Sequence, residues 1–154
     1  MTGPKSDGLA CIFCDALANI ETDPLIVHRG RLAFVIVNKF PYNNGHLMVV
    51  PNRHVPRLAD LAADELVEFI QFTQLAERVL TSVYDPHGLN LGLNLGKAAG
   101  AGVLDHLHMH LVPRWSGDTN FMSVVGETRV LPEELPKTSE RLRAAFVAAV
   151  QSHP

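Results

Sequence analysis

A chain of 154 residues with 47% hydrophobic and 19% charged residues fits one compact domain that can bury a core without disulfides, and these values exclude a disordered or solenoid chain. A formal net charge of -3 excludes a whole-surface field that would coat nucleic acid or an anionic membrane, while leaving room for a local phosphate site. No apolar run approaches the roughly eighteen residues of a membrane helix, and MTGPKSDGLA lacks the apolar centre of a secretion signal, so the chain reads as cytoplasmic.

In chain order, residues 1–9 read as a flexible leader, because Gly3, Pro4, Ser6 and Gly8 interrupt any period, and a single domain is expected over 10–154. The two cysteines, Cys11 and Cys14, form a C-x-x-C pair, which in a reducing compartment reads as half a zinc site or a redox pair rather than a structural disulfide. RLAFVIV (31–37) and HLMVVP (46–51) are β-rich runs around the turn formers Pro41, Asn43, Asn44 and Gly45, which predicts two antiparallel strands. From Leu66 to Val83 the apolar residues recur at helical spacing, with Asp60 or Asp64 as the expected cap and Pro86 and Gly88 as the stop.

LNLGLNLG (89–96) alternates leucine with asparagine or glycine, the pattern of a strand with an open polar face, where glycine belongs if a ligand comes close. The small-residue turn KAAGAG (97–102) returns the chain into VLDHLHMHLVP (103–113), so the two runs are expected to pair as a hairpin with Asn94 beside the histidines. Beyond the polar loop SGDTN (116–120), short strands are expected near Phe121–Val125 and Thr128–Leu131, then a last helix from about Ser139. The sum is an α+β fold: an antiparallel sheet of about five strands with two main helices on one face.

His106, His108 and His110 occupy alternate positions, so in an extended chain they line one face while Leu107, Met109 and Leu111 turn to the other. Imidazole can serve there as metal ligand, general acid or base, or nucleophile. A catalytic metal cage would want a carboxylate or a third imidazole, and no glutamate follows the row until Glu127. The asparagine-glycine strand and glycine loop instead offer an amide side chain and uncovered backbone N–H groups, donors that hold phosphate oxygens without a metal. The nucleophile reading follows.

These motifs are similar to those of the histidine triad family of nucleotide hydrolases and transferases. The resemblance is carried by AFVIVNKFPYNNGHLMVVPNRH (33–54), GLNLGLNLG (88–96) and DHLHMHLVPRWSGDTNF (105–121), and it covers most of residues 11–131. Within the family it looks most like the diadenosine tetraphosphate phosphorylase branch of bacterial members. It implies that His108 is the nucleophile forming a nucleotidyl-imidazole intermediate, that His110 contacts the phosphate, and that His46 is the outlying histidine beside the row. It further implies phosphate contact by Asn94, ribose contact by Asn38, backbone donors at Gly102 and Val103, and apolar contacts to the base around Phe34 and Leu47. Where many family members carry glutamine or serine just before the row, this chain has Gly102 and Val103, which leaves water or inorganic phosphate as the second acceptor.

The resemblance also gives Cys11 and Cys14 a pair of partners, His54 and His106, for a structural zinc ion; reduced buried thiols are the alternative. It implies a homodimer, and a purine nucleotide or dinucleoside polyphosphate as ligand. Two other functions stay open: an adenosine phosphoramidase or nucleotidyl-sulfate hydrolase, and a nucleotide-binding regulatory module with little turnover. Trp115 reads as packing or as cover for the site, Arg114 as a solvated charge or a polyphosphate contact, and His28, His87 and His153 as surface residues.

Overall fold

The computed structural model describes residues 11–103, 105–118 and 133–152. The expected leader, the strands near Phe121–Val125 and Thr128–Leu131, and His153 lie outside the described residues. Five strands, β1 (Ile26–Arg29), β2 (Ala33–Val37), β3 (Leu47–Pro51), β4 (Gly88–Leu93) and β5 (Met109–Arg114), form one antiparallel sheet in the order β1-β2-β3-β5-β4. The helices among the described residues are α1 (Ile12–Ala18), α2 (Ala63–Tyr84) and α3 (Leu135–Ser152). This is the expected α+β architecture.

Strand alternation sorts the side chains into two layers. Val35, Val37, Leu47, Val49, Leu107 and Leu111 face one side and pack with Phe69, Ala76, Val79 and Leu80 of α2 and Leu142 and Phe146 of α3. Phe34, Ile36, Met48 and Val50 face the other, where Phe13 and Ala16 of α1 cover them. The histidines share this second face, because His110 lies opposite Met48 in the β3–β5 register.

Helix α2 begins at Ala63 without the expected aspartate cap. Glu65 in its first turn accepts the Ala62 N–H at 2.9 Å, while Asp60 lies in a short 3-10 turn and Asp64 inside the helix. A glutamate three positions in can return to the flanking N–H without a capping side chain. Glu65 is buried because Arg53 meets it with two nitrogens, Nη2 to Oε1 at 2.7 Å and Nε to Oε2 at 3.1 Å, a pairing that ties the exit of β3 to α2. Helix α3 starts at Leu135, earlier than expected, because Pro136 stands in the first turn, where its missing N–H leaves no hydrogen bond unmade. Elements α1 and β1 were not expected; each is short.

The turn before β3 brings Gly45 into the left-handed region at φ +80°, and a Cβ there would stand 2.7 Å from the Tyr84 ring of α2. Gly45→Ala therefore combines backbone strain with a clash in a buried place. A loss of about 1–3 kcal/mol is expected in urea unfolding. An unchanged midpoint would show that the turn can shift away from Tyr84.

His28 is corrected from a surface residue to a packed one: its ring lies between Phe72 at 4.8 Å and Phe146 at 5.2 Å, and burial lowers its pKa. His87 stays at the surface, accepting the Ser116 N–H at 2.8 Å.

Candidate active site

Strand β5 starts at Met109, so His106 and His108 precede it instead of lying within a strand from residue 103. The alternation survives the change, with Leu107 and Leu111 in the helix-side core and the three imidazoles on the opposite face. What holds the segment extended is specific bonding: Leu107 N–H donates to Val55 O at 2.7 Å, and His106 Nε2–H donates to Pro51 O at 2.8 Å.

The hydrogen-bond partners of these rings assign the proton on each. His108 Nδ1–H donates to its neighbour's carbonyl, His106 O, at 2.9 Å, which leaves Nε2 with a free lone pair. His46 Nδ1 accepts the Tyr42 N–H at 3.2 Å, so the neutral His46 ring carries its hydrogen on Nε2 and donates it to His110 Nδ1 at 2.9 Å. His110 must then carry its own hydrogen on Nε2. The result is one nucleophilic nitrogen on His108 and one N–H donor on His110, on rings 4.7 Å apart.

Burial keeps these rings neutral. It lowers the pKa of His108, opposed in part by the bond to His106 O, and that of His110, where the neighbouring His108 adds to the effect. His46 is fully buried and falls to about 4, first from desolvation and then from His110 and His108. An unfolded histidine near 6.5 binds a proton that native His46 refuses between these two values, so stability is full above about pH 6.5 and is lost as pH falls toward about 4. Thermal midpoints are expected to drop from pH 7 to pH 5, with a shallower drop in His46→Gln; identical profiles would contradict the assignment.

Beside His110, an open cleft of about 480 Å³ runs over β4 and β5, lined among others by Asn94, Asn90, Tyr42, Asn43 and Arg114. Its floor follows the β4–β5 register, in which Gly92 lies opposite His110 and leaves the strand uncovered there. Arg114 Nε and Nη2 bond the two Asp118 carboxylate oxygens at 2.7 and 2.8 Å, holding that carboxyl far below its usual range, and Asn43 adds a third bond at 2.8 Å. Arg114 is thus a bonded cleft wall that also reaches Asn90 at 2.8 Å. Trp115 packs edge-on to Tyr84, 6.4 Å away, as ordinary packing predicts.

Of the expected nucleotide contacts, Asn94 lies with His110 in the cleft wall, and Val103 packs against the apolar cluster on the histidine face. Gly102 is exposed, with open space where a side chain would begin. Asn38 lies where β2 ends; its Oδ1 accepts the Phe40 N–H at 2.9 Å, and its Nδ2 is 3.4 Å from His46 Nε2. Since that Nε2 already carries hydrogen, the Asn38–His46 approach is a packing contact. Phe34 lies on the histidine face but is fully buried under α1, in the cluster with Phe13.

Leu47 requires a correction. It pairs with Leu111 and packs into the helix-side core, on the opposite face from the histidines, so it cannot touch a base bound beside His108. A one-residue step along β3 reverses the face, and it is Met48 that lies on the histidine face, opposite His110. Tyr42 and Asn90 line the cleft and Phe13 packs against the rings of His106 and His108, three placements not foreseen from the sequence. Asn90 shares the alternation of Asn94 and was readable from it; the role of Tyr42 is in its backbone N–H, which leaves no mark in a sequence.

Cys11, Cys14, His54 and His106 converge on the other side of the row, with all four candidate ligand atoms within 4.8 Å of one another. Cys11 Sγ and Cys14 Sγ lie 3.3 and 3.6 Å from His106 Nδ1, and Cys14 Sγ lies 3.3 Å from His54 Nδ1. A tetrahedral zinc ion with bonds of about 2.0 Å to nitrogen and 2.3 Å to sulfur has ligand edges of about 3.3–3.8 Å. The residues fit. His106 is pre-set for ligation, because its Nε2–H is committed to Pro51 O and its Nδ1 lone pair faces the thiols. Burial, and then the facing Cys11 thiol, push Cys14 up to about 11, a cost that a divalent cation would reverse.

An imidazole with an unprotonated nitrogen, a second imidazole presenting N–H, and an uncovered amide-rich strand thus lie together on one face of the sheet, groups that can supply a nucleophile and hydrogen-bond donors. Residues 19–117 match the HIT domain, and the chain belongs to the histidine triad family, close to its AP-4-A phosphorylase branch. Over 122 residues it is 48% identical to the AP-4-A phosphorylase of Mycobacterium tuberculosis, covering 79% of this chain and 63% of that protein, so it spans less than two thirds of that relative's length. It is 33% identical over 123 residues to the bis(5'-adenosyl)-triphosphatase of Dictyostelium discoideum, covering 75% of this chain and 81% of that one. In fold it is similar to a zinc-bound histidine triad family protein from Mycobacterium smegmatis, with a TM-score of 0.75 at 23% identity over 94% of this chain and 98% of the other.

Proposed function

We propose that the chain cleaves dinucleoside polyphosphates through a covalent nucleotidyl-His108 intermediate. The observation that carries this reading is the bond from His108 Nδ1–H to His106 O, which aims an unprotonated Nε2 at the histidine face. In the first step Nε2 attacks the α-phosphorus and the bond to the bridging oxygen breaks, releasing the other nucleotide. The ring becomes a phosphorylated imidazolium, and the His106 carbonyl accepts its charged N–H, a bond stronger than the one in the resting ring. His110 Nε2–H and Asn94 donate to phosphoryl oxygens as they gain charge. In the second step water or inorganic phosphate attacks phosphorus, and the bond to Nε2 breaks.

The names of the relatives above support a dinucleoside polyphosphate as substrate. Incubation with diadenosine tetraphosphate, with and without inorganic phosphate, decides the acceptor. ATP plus ADP formed only with phosphate identifies a phosphorylase; AMP plus ATP formed with water identifies a hydrolase, and two ADP would place cleavage away from the α-phosphorus and contradict the first step. Release of AMP from a phosphoramidate alone would overturn the substrate assignment in favour of a phosphoramidase.

Cys11, Cys14, His54 and His106 would hold a structural zinc ion, which supplies a covalent tie between α1, the exit of β3 and the histidine row. Two free thiols used as ligands suit a reducing compartment, and we assign the chain to the cytoplasm. No helix among the described residues is long and apolar enough to cross a membrane. The edge strand β4, with Leu91 exposed, and the exposed Val67 and Ile70 of α2 support a homodimer, for which light scattering is the test.

A further inference from the structure

Phe13 stands between the two cysteines of the metal cluster and is 1% exposed. Its ring lies 4.9 Å from that of His108, tilted by 46°, and 5.4 Å from that of His106, nearly edge-on at 70°. It packs against both rings at once. The backbone that carries it is held on either side: Cys11 and Cys14 face the cluster, and Asp15 N–H closes the first turn onto Cys11 O at 3.0 Å. His106 is fixed from two directions as well, by Pro51 O at Nε2 and by the thiols at Nδ1.

Two restraints on His108 therefore share one body. The carbonyl that selects its tautomer belongs to a cluster ligand, and the wall that limits rotation of its ring belongs to the residue between two cluster ligands. A single N–H···O=C bond leaves an imidazole free to swing about that bond, and an aromatic wall removes this freedom. Misplacement of an attacking atom by about 1 Å costs on the order of a hundredfold in rate.

We propose that the cysteine-histidine cluster is the positioning frame of the nucleophile, with Phe13 as its positioning residue, so that metal occupancy sets the orientation and tautomer of His108. The inference rests on the reading of His108 as nucleophile, yet the state of that ring can be measured with no substrate present.

The experiment is two-bond 1H–15N spectroscopy of the ring nitrogens at one fixed pH, on zinc-loaded wild type, on Phe13→Leu, and on wild type after zinc removal and zinc return. Zinc-loaded wild type is expected to show His108 as a single Nδ1–H tautomer. Phe13→Leu is expected to keep one zinc per chain, to show averaged His108 nitrogens, and to lose kcat on the order of tenfold with KM within about twofold. Chelation should produce the same averaging with far-UV circular dichroism retained, and zinc should reverse it; this arm decides the matter should Phe13→Leu not fold. A single Nδ1–H tautomer in every sample overturns the proposal, as does a wild-type chain that takes up no zinc or a Phe13→Leu effect confined to KM. A wild type inert toward every nucleotide but with the predicted spectra would sink the catalytic reading and leave the positioning frame standing.

Discussion

His108→Ala is expected to abolish turnover, lowering kcat on the order of 10⁴-fold or more, while nucleotide affinity stays within a few fold of wild type. The size follows from the role. Removing a covalent nucleophile leaves direct attack by water or phosphate, helped only by the donors that remain, His110 and Asn94. Affinity is spared because the cleft beside His110 does not depend on the His108 ring. A stable protein is expected as well: among the described residues the His108 side chain bonds the carbonyl two residues away, and Phe13 keeps its other apolar neighbours. Steady-state kinetics and equilibrium binding on the same preparation check both halves. A variant that keeps wild-type turnover would contradict the nucleophile role, whereas a wild type with negligible turnover and a variant of equal affinity would favour the regulatory module.

Zinc removal carries the second large effect. Cys11 and His106 are 95 residues apart in sequence and Cys14 and His54 are 40 apart, so the cluster closes long loops and ties α1 to the sheet. Closed zinc sites contribute many kilocalories in peptides that have no core of their own, whereas here the two apolar clusters carry most of the fold. A share of about 3–5 kcal/mol lowers Tm on the order of 10 °C in a chain of this size. Cys14→Ser should show that drop and be insensitive to chelators, and chelated wild type should fall to the same midpoint. Equal midpoints for loaded and chelated wild type would mean that the thiols hold no structural ion.

Much of this was legible in the sequence because it is written in alternation. The runs at 31–37, 46–51 and 89–96 became β2, β3 and β4 within a few residues, and the helical stripe at 66–83 became the body of α2. The four cluster residues, drawn from positions as far apart as 11 and 106, converge as the resemblance implied. What escaped depends on partners remote in sequence. Strand β1 has only the four residues IVHR, and it is secured by Arg143 of α3, whose Nη2 donates to Pro24 O at 2.9 Å and Ile26 O at 3.0 Å. Helix α1, with seven residues, is too short to stand without Phe13 and Ala16 buried against the sheet. Leu47 was misassigned because apolar residues fill both faces of β3, so no alternation distinguishes the base side from the core side.

The central claim is that His108 Nε2 forms a bond to phosphorus. Its most direct measurement is a rapid acid-free quench of a single turnover with diadenosine tetraphosphate, followed by mass spectrometry of the peptide carrying residues 106–110. The account predicts one adenylyl group on His108, formed and lost at rates that match turnover. Complete turnover with no adduct on that time scale, or an adduct on another residue, would contradict it.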